Sequence, residues 1–169
     1  MTKVKPLPES KVRKVVKDFL KNFPFFETLT SEELLVAVEH INFLQVEPGE
    51  VLFREGDDAE CVYFVIQGEL DVIKESVGAN SKPQHVVITT LSEGRSLGEM
   101  SVIDKTPRSA TVRVREKAIL ATLKADGFDL LLLNHPRVGI KILKGIARLL
   151  SLNLRKTSSR LAEYLLPVS

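Results

Sequence analysis

The sequence predicts a mainly β fold with flanking helices, an all-β roll or sandwich, and three observations predict it. Between Ile41 and Leu123 short apolar runs alternate with turn signals; both flanks instead repeat apolar residues at helical spacing; and the last helical stretch is longer than such a roll can cover.

Taken in order, Ser10 is placed to cap a helix with an apolar stripe of Val12, Val15, Val16, Phe19 and Leu20, ending before Pro24. Thr30 followed three residues later by Glu33 is a capping-box pattern, and Leu34, Leu35, Val38 and Ile41 continue it. The strand runs are Ile41–Val46, Val51–Phe53, Val62–Ile66, Leu70–Ile73, Val86–Leu91, Thr111–Val114 and Ile119–Leu123. They are separated by Pro48-Gly49, Glu55-Gly56-Asp57, Gln67-Gly68 and Ser92-Glu93-Gly94, while Ser76–Gln84 reads as one long hairpin loop.

Ala125-Asp126-Gly127 opens a short helix through Leu133, and Pro136 sits where a first helical position tolerates proline. A helix from there to Leu166, stopped by Pro167, would span roughly 45 Å. Leu143, Ala147, Leu150, Leu154, Thr157, Leu161 and Tyr164 form a coiled-coil seam along it, so a homodimer through residues 137–166 is expected. The organisation is therefore one domain in three parts: a basic helical extension over 1–23, the roll with its leading helix over 24–135, and the dimer helix over 136–166.

The 169 residues are 44% hydrophobic and 27% charged, a composition that excludes a disordered or fibrous chain. No secretory leader or membrane span is visible, so a cytoplasmic protein is expected. The single cysteine, Cys61, borders an apolar strand and reads as a buried thiol. His40, His85 and His135 lack ligand spacing, which points to surface or capping roles and to no metal. Charge is uneven: residues 1–21 hold seven basic against two acidic side chains, residues 137–169 seven against one, and the middle is acidic. Basic helix faces are ordinarily solvated surface, although they permit anionic partners.

The chemistry is concentrated in Gly94 to Val112, GRSLGEMSVIDKTPRSATV. Gly98 lets backbone approach a ligand, and Glu99 is an acceptor suited to a sugar hydroxyl. Ser101 can begin a helical turn whose amides face an anion. Arg108 offers a planar fork for phosphate oxygens, with Pro107 fixing the backbone before it. Together they describe a phosphate-plus-ribose site. The competing reading makes Glu99 and Arg108 an exposed ion pair worth at most about 1 kcal/mol. Met100 is expected to plug the core.

Gly98-Glu99-Met100-Ser101 with Pro107-Arg108-Ser109-Ala110-Thr111 resembles, without gap, the phosphate-binding cassette of cyclic-nucleotide-binding domains, as in catabolite activator proteins and protein kinase regulatory subunits. Pro48–Phe53, Glu55-Gly56-Asp57, Tyr63-Phe64-Val65 and Gln67–Leu70 look like that family's glycine-marked strands, so the resemblance covers roughly 24–166.

The resemblance implies a jelly-roll-like β-roll in which Glu99, beside the Gly98 backbone, accepts the ribose 2′-hydroxyl. Arg108 pairs with the cyclic phosphate, helped by the amides of Ser101 and Ser109. Ser109 sits where some members contact the base, which favours cyclic GMP; Thr157 from one subunit and Ser158 from the other look like an adenine contact, which favours cyclic AMP.

A regulatory sensor with cyclic AMP as its preferred ligand, cyclic GMP as the alternative and an unidentified downstream protein is the expectation. Relatives of the activator type add a DNA-reading module after the dimer helix, and this chain stops at Ser169, so specific DNA binding is not expected, and a truncated or DNA-domain-less relative of such a transcription regulator is one alternative. A roll that has lost its ligand and serves as an interaction module is the other alternative. No nucleotide-hydrolase, serine-hydrolase or metalloprotease motif is present, and an enzyme is not expected.

Overall fold

The structure, a computed structural model, describes residues 5–6, 20–77 and 83–165. Seven antiparallel strands among the described residues form the β-roll: β1 (Lys5–Pro6), β2 (Ile41–Val46), β3 (Val51–Phe53), β4 (Cys61–Val77), β5 (Pro83–Leu91), β6 (Ser96–Leu97) and β7 (Thr111–Lys124). Their order is β1-β2-β7-β4-β5, with β3 on β7 and β6 on β4. Among the described residues four α-helices complete it: α1 (Ser31–Val38), α2 (Glu99–Asp104), α3 (Ala125–Asn134) and α4 (Pro136–Leu165). The helix expected from Ser10 lies mostly outside the described residues, which show Leu20–Asn22 as a 3-10 turn.

Two separations expected between strand runs do not occur. β4 runs on through Gln67-Gly68, because Gly68 (φ +93°) absorbs a series of register shifts against β7. A Cβ there would strike the Lys117 carbonyl oxygen and lie 2.7 Å from Ala118 Cβ, so only glycine lets the strands stay paired. Likewise β7 joins two predicted runs. The long hairpin loop is shorter than expected, since Ser76 pairs with Gln84 and Val77 with Pro83.

β4 and β7 are buried on both faces. Val62, Phe64 and Ile66 of β4 face a core shared with the helices, whereas Val65 and Leu70 face the inside of the roll. In the first core Phe64 meets Phe23 and Phe25 edge-on, with ring centroids 5.3 and 5.0 Å apart.

The predicted capping box forms: Glu33 N–H donates to Thr30 Oγ1 at 3.2 Å, and Thr30 N–H donates to Glu33 Oε2 at 2.8 Å. The Glu33 carboxylate also accepts from Lys141 Nζ of α4 at 2.6 Å, which holds its pKa below the usual carboxylate value. α4 packs its first half through Val138, Ile142 and Ile146. At Gly145 it lies so close to the chain before α1 that a Cβ would sit 2.5 Å from the Pro24 carbonyl oxygen. Every residue from Ser151 to Leu165 is exposed. His135 is the C-cap of α3, its N–H donating to Leu131 O.

Candidate functional site

The cassette follows from how β6, α2 and the start of β7 are tied to β4. Leu97 of β6 pairs with Tyr63, which brings Gly98 to the mouth of the roll. Gly98 turns the chain at φ +80° into α2, whose first residue is Glu99. At the far end the Asp104 carboxylate accepts from Thr106 N–H (3.0 Å) and Thr106 Oγ1 (2.7 Å), and Lys105 takes φ 54°. That tight turn delivers Pro107 and Arg108.

The backbone of Arg108 is then fixed by the Glu55-Gly56-Asp57 turn. Gly56 N–H donates to Arg108 O and Arg108 N–H donates to Asp57 O, both at 2.9 Å. Arg54 N–H donates to the Asp57 carboxylate at 2.7 Å and closes the turn. Two motifs some fifty residues apart in sequence thus make one support for a single arginine.

Arg108 is 4% exposed. Its Nη2 donates to the Cys61 carbonyl at 2.7 Å and its Nη1 to the Gly98 carbonyl at 3.4 Å, and its guanidinium carbon lies 4.2 Å from the Phe53 ring centroid. Nε is buried with no hydrogen-bond partner among the described residues. Glu99 is 9% exposed, and burial pushes its carboxyl above the usual carboxylate range despite its own amide and the nearby positive charges of Arg108 and Arg95. The two residues form no ion pair, so the exposed-pair reading is overturned: both side chains are buried and each faces the cavity separately.

The cavity measures about 560 Å³. From the cassette it is lined by Gly98, Glu99, Met100, Arg108, Ser109 and Ala110, and from α4 by Thr157. Ile88 and Leu91 of β5 and Phe53 of β3 supply apolar walls. Met100 is 54% exposed at the mouth rather than in the core, because the first turn of α2 directs Val102 inward instead. Pro107 and Ser158 are exposed and off this wall, and Ser101 lies in α2 two residues after Glu99.

The expectations omitted Phe53, the Cys61 carbonyl, Arg95, Lys156 and Arg160, all of which contact Arg108 or line the cavity. The Cys61 thiol is partly buried at the start of β4, and desolvation raises its pKa, which keeps it an inert thiol.

A cAMP-dependent protein kinase regulatory subunit from Yarrowia lipolytica is 34% identical over 120 residues, 71% of this chain; the chain spans 30% of that subunit's length. Among solved structures, a cyclic nucleotide-binding domain from Methylobacillus flagellatus superposes with a TM-score of 0.82 at 25% identity, covering 96% of this chain and 90% of that one. The Thermus thermophilus catabolite activator protein gives 0.72 at 26% identity, covering 83% and 62%. Residues 43–135, which run from β2 through the Arg108 turn to the end of α3, match the cyclic nucleotide-binding domain, and the chain belongs to that family.

Proposed function

We propose that the chain is a cytoplasmic regulatory module that binds a cyclic mononucleotide, cyclic AMP in preference to cyclic GMP, acts as a homodimer through residues 137–166 and passes the signal to a downstream protein. One observation carries the reading above all. Arg108 is a buried cation at the cavity that has, among the described residues, no carboxylate partner and an unpartnered Nε, a costly arrangement that a bound anion relieves.

In this reading the cyclic phosphate takes the Arg108 guanidinium, with the Ser101 and Ser109 amides as further donors. Glu99 accepts the ribose 2′-hydroxyl, and Gly98 leaves room because it has no Cβ. Pro107 and Ala110 set the backbone on either side of Arg108 and Ser109. Met100 covers the mouth.

Base preference rests on α4. The Thr157 hydroxyl already donates to the Asn153 carbonyl at 2.9 Å, which leaves its oxygen lone pairs for an incoming donor. The adenine amino group is such a donor and the guanine carbonyl is not. Ser158 of a second copy would add a hydroxyl from the other side. The names of the relatives above, a cAMP-dependent protein kinase regulatory subunit and a catabolite activator protein, agree with a regulatory role.

Calorimetric titration with cyclic AMP, cyclic GMP and cyclic CMP tests this. Cyclic AMP is expected to bind most tightly, and the Thr157→Ala plus Ser158→Ala variant to narrow its lead over cyclic GMP with phosphate binding retained. Tighter cyclic GMP binding, or an unchanged ratio in that variant, would move base selection to Ser109.

A further inference from the structure

The cavity has more positive charge than a cyclic mononucleotide can use. Arg95, Arg108, Lys156 and Arg160 line it against a single carboxyl, Glu99. None of the four forms an ion pair with a carboxylate among the described residues. A cyclic mononucleotide brings one negative charge, and in the reading above Arg108 takes it.

The surplus is not spread at random. Lys156 and Arg160 are four residues apart and so lie on one face of α4, the face that also turns Asn153 and Thr157 to the cavity. They approach from the helix side, whereas Arg108 lies in the cassette between α2 and β7. These two donor-only side chains are exposed and repel one another only through solvent, and an anion between them turns that repulsion into attraction. Arg95, just before β6, adds a third unpaired cation to the lining.

We propose that Lys156 and Arg160, assisted by Arg95, form a second anion subsite, and that the cavity accepts a nucleotide with two separated phosphates, one on Arg108 and the other on α4. This rests on the cassette reading for the first phosphate. Cyclic dinucleotides and nucleoside bisphosphates both carry that chemistry, and a cavity of about 560 Å³ falls within the range of drug-sized ligand sites.

The test is calorimetry on the full chain with three ligands: cyclic AMP, cyclic di-AMP and adenosine 3′,5′-bisphosphate. At least one two-phosphate ligand is expected to bind the parent, and Lys156→Ala plus Arg160→Ala to weaken it by about 10- to 100-fold, the worth of one or two charge-assisted hydrogen bonds. The same variant should change cyclic AMP affinity by less than about fivefold. Added salt should weaken the two-phosphate ligand more steeply than cyclic AMP. Both substitutions are on the exposed half of α4, so an unchanged melting curve is expected and checks the fold. Whichever two-phosphate ligand binds more tightly identifies the source. A parent that binds cyclic AMP but neither two-phosphate ligand overturns the second subsite and leaves the proposed function standing; so does an equal loss for all ligands in the variant. A parent that binds none of the three overturns both.

Discussion

The guanidinium carbon of Arg108 sits 4.2 Å from the centroid of the Phe53 ring, while its Nη2 donates to the Cys61 carbonyl at 2.7 Å. The arginine is thus held by a ring and a carbonyl, neither of which neutralises it. A phosphate brought to this place meets a fork already oriented and largely desolvated, so little of the binding energy is lost in ordering it.

Arg108→Ala should therefore cost binding much more than folding. Loss of one partner of a buried hydrogen-bonded charge pair costs about 2–5 kcal/mol, roughly 30- to several-thousand-fold in affinity. Arg108→Lys should recover only part of it, because an ammonium keeps the charge without the planar fork. Calorimetry and thermal melting on the same samples separate the two effects, and binding by Arg108→Ala within twofold of the parent would sink the cassette reading.

Glu99 gives a pH signature. Its folded pKa is raised by burial, so the folded state holds the proton more tightly than the unfolded one. The resulting stability is present below the unfolded value and is lost as pH rises through the folded value. Ligand-free Glu99→Gln should consequently melt above the parent at about pH 8, with the gap closing near about pH 4. Cyclic AMP affinity of the parent should fall as Glu99 is protonated, while the variant binds weakly with a flatter profile. A constant difference in melting temperature across that range would remove Glu99 from the account.

Gly98 and Gly68 should separate site from scaffold. Both have positive φ, and an alanine costs about 1–3 kcal/mol in backbone strain at either. At Gly98 the new Cβ would also meet Arg108 Nη1 and lie 3.1 Å from the Cys61 carbonyl oxygen, so Gly98→Ala should displace the arginine and abolish binding. Gly68→Ala should lower the melting temperature at least as much and leave affinity per folded molecule nearly unchanged. Equal affinities in the two variants would contradict this.

The exposed half of α4 should govern assembly. Leu154 is 68% and Tyr164 87% exposed, and with Leu161 they continue the seam that begins at Leu143. Leu154→Glu would set like charges against each other across a two-fold interface and give monomers. Light scattering at micromolar concentration checks it; an unchanged mass, or a monomeric parent, counts against the dimer.

Much of this architecture was legible locally. Thr30 and Glu33 announce α1 because a capping box is satisfied within four residues, and Pro136 starts α4 because a first helical position has no amide to lose. That Gly98, Glu99 and Arg108 meet at one cavity was legible too, since each has a use close to the backbone that presents it. What escaped was decided by partners distant in sequence. Gly68 reads as a strand end until Lys117 and Ala118 are laid against it. Met100 reads as core because it is apolar, but the pitch of α2 buries Val102 and turns Met100 out. Lys156 and Arg160 look like any solvated helix face, and only the crossing of α4 over the roll shows that they reach the cavity.

The contact of Gly145 with the Pro24 carbonyl has a mechanical consequence. Pro24 also lines the cavity, so α4 first meets this chamber one third of the way along its length; its buried face ends near Leu150, and its exposed turns go on to line the chamber as far as Arg160. The helix is a lever with its fulcrum beside the chamber. From Gly145 to Leu165 the arm is about 30 Å long, so a tilt of about ten degrees at the fulcrum displaces the tip by about 5 Å. A change too small to disturb the roll would be delivered, enlarged, to whatever surface the tip meets.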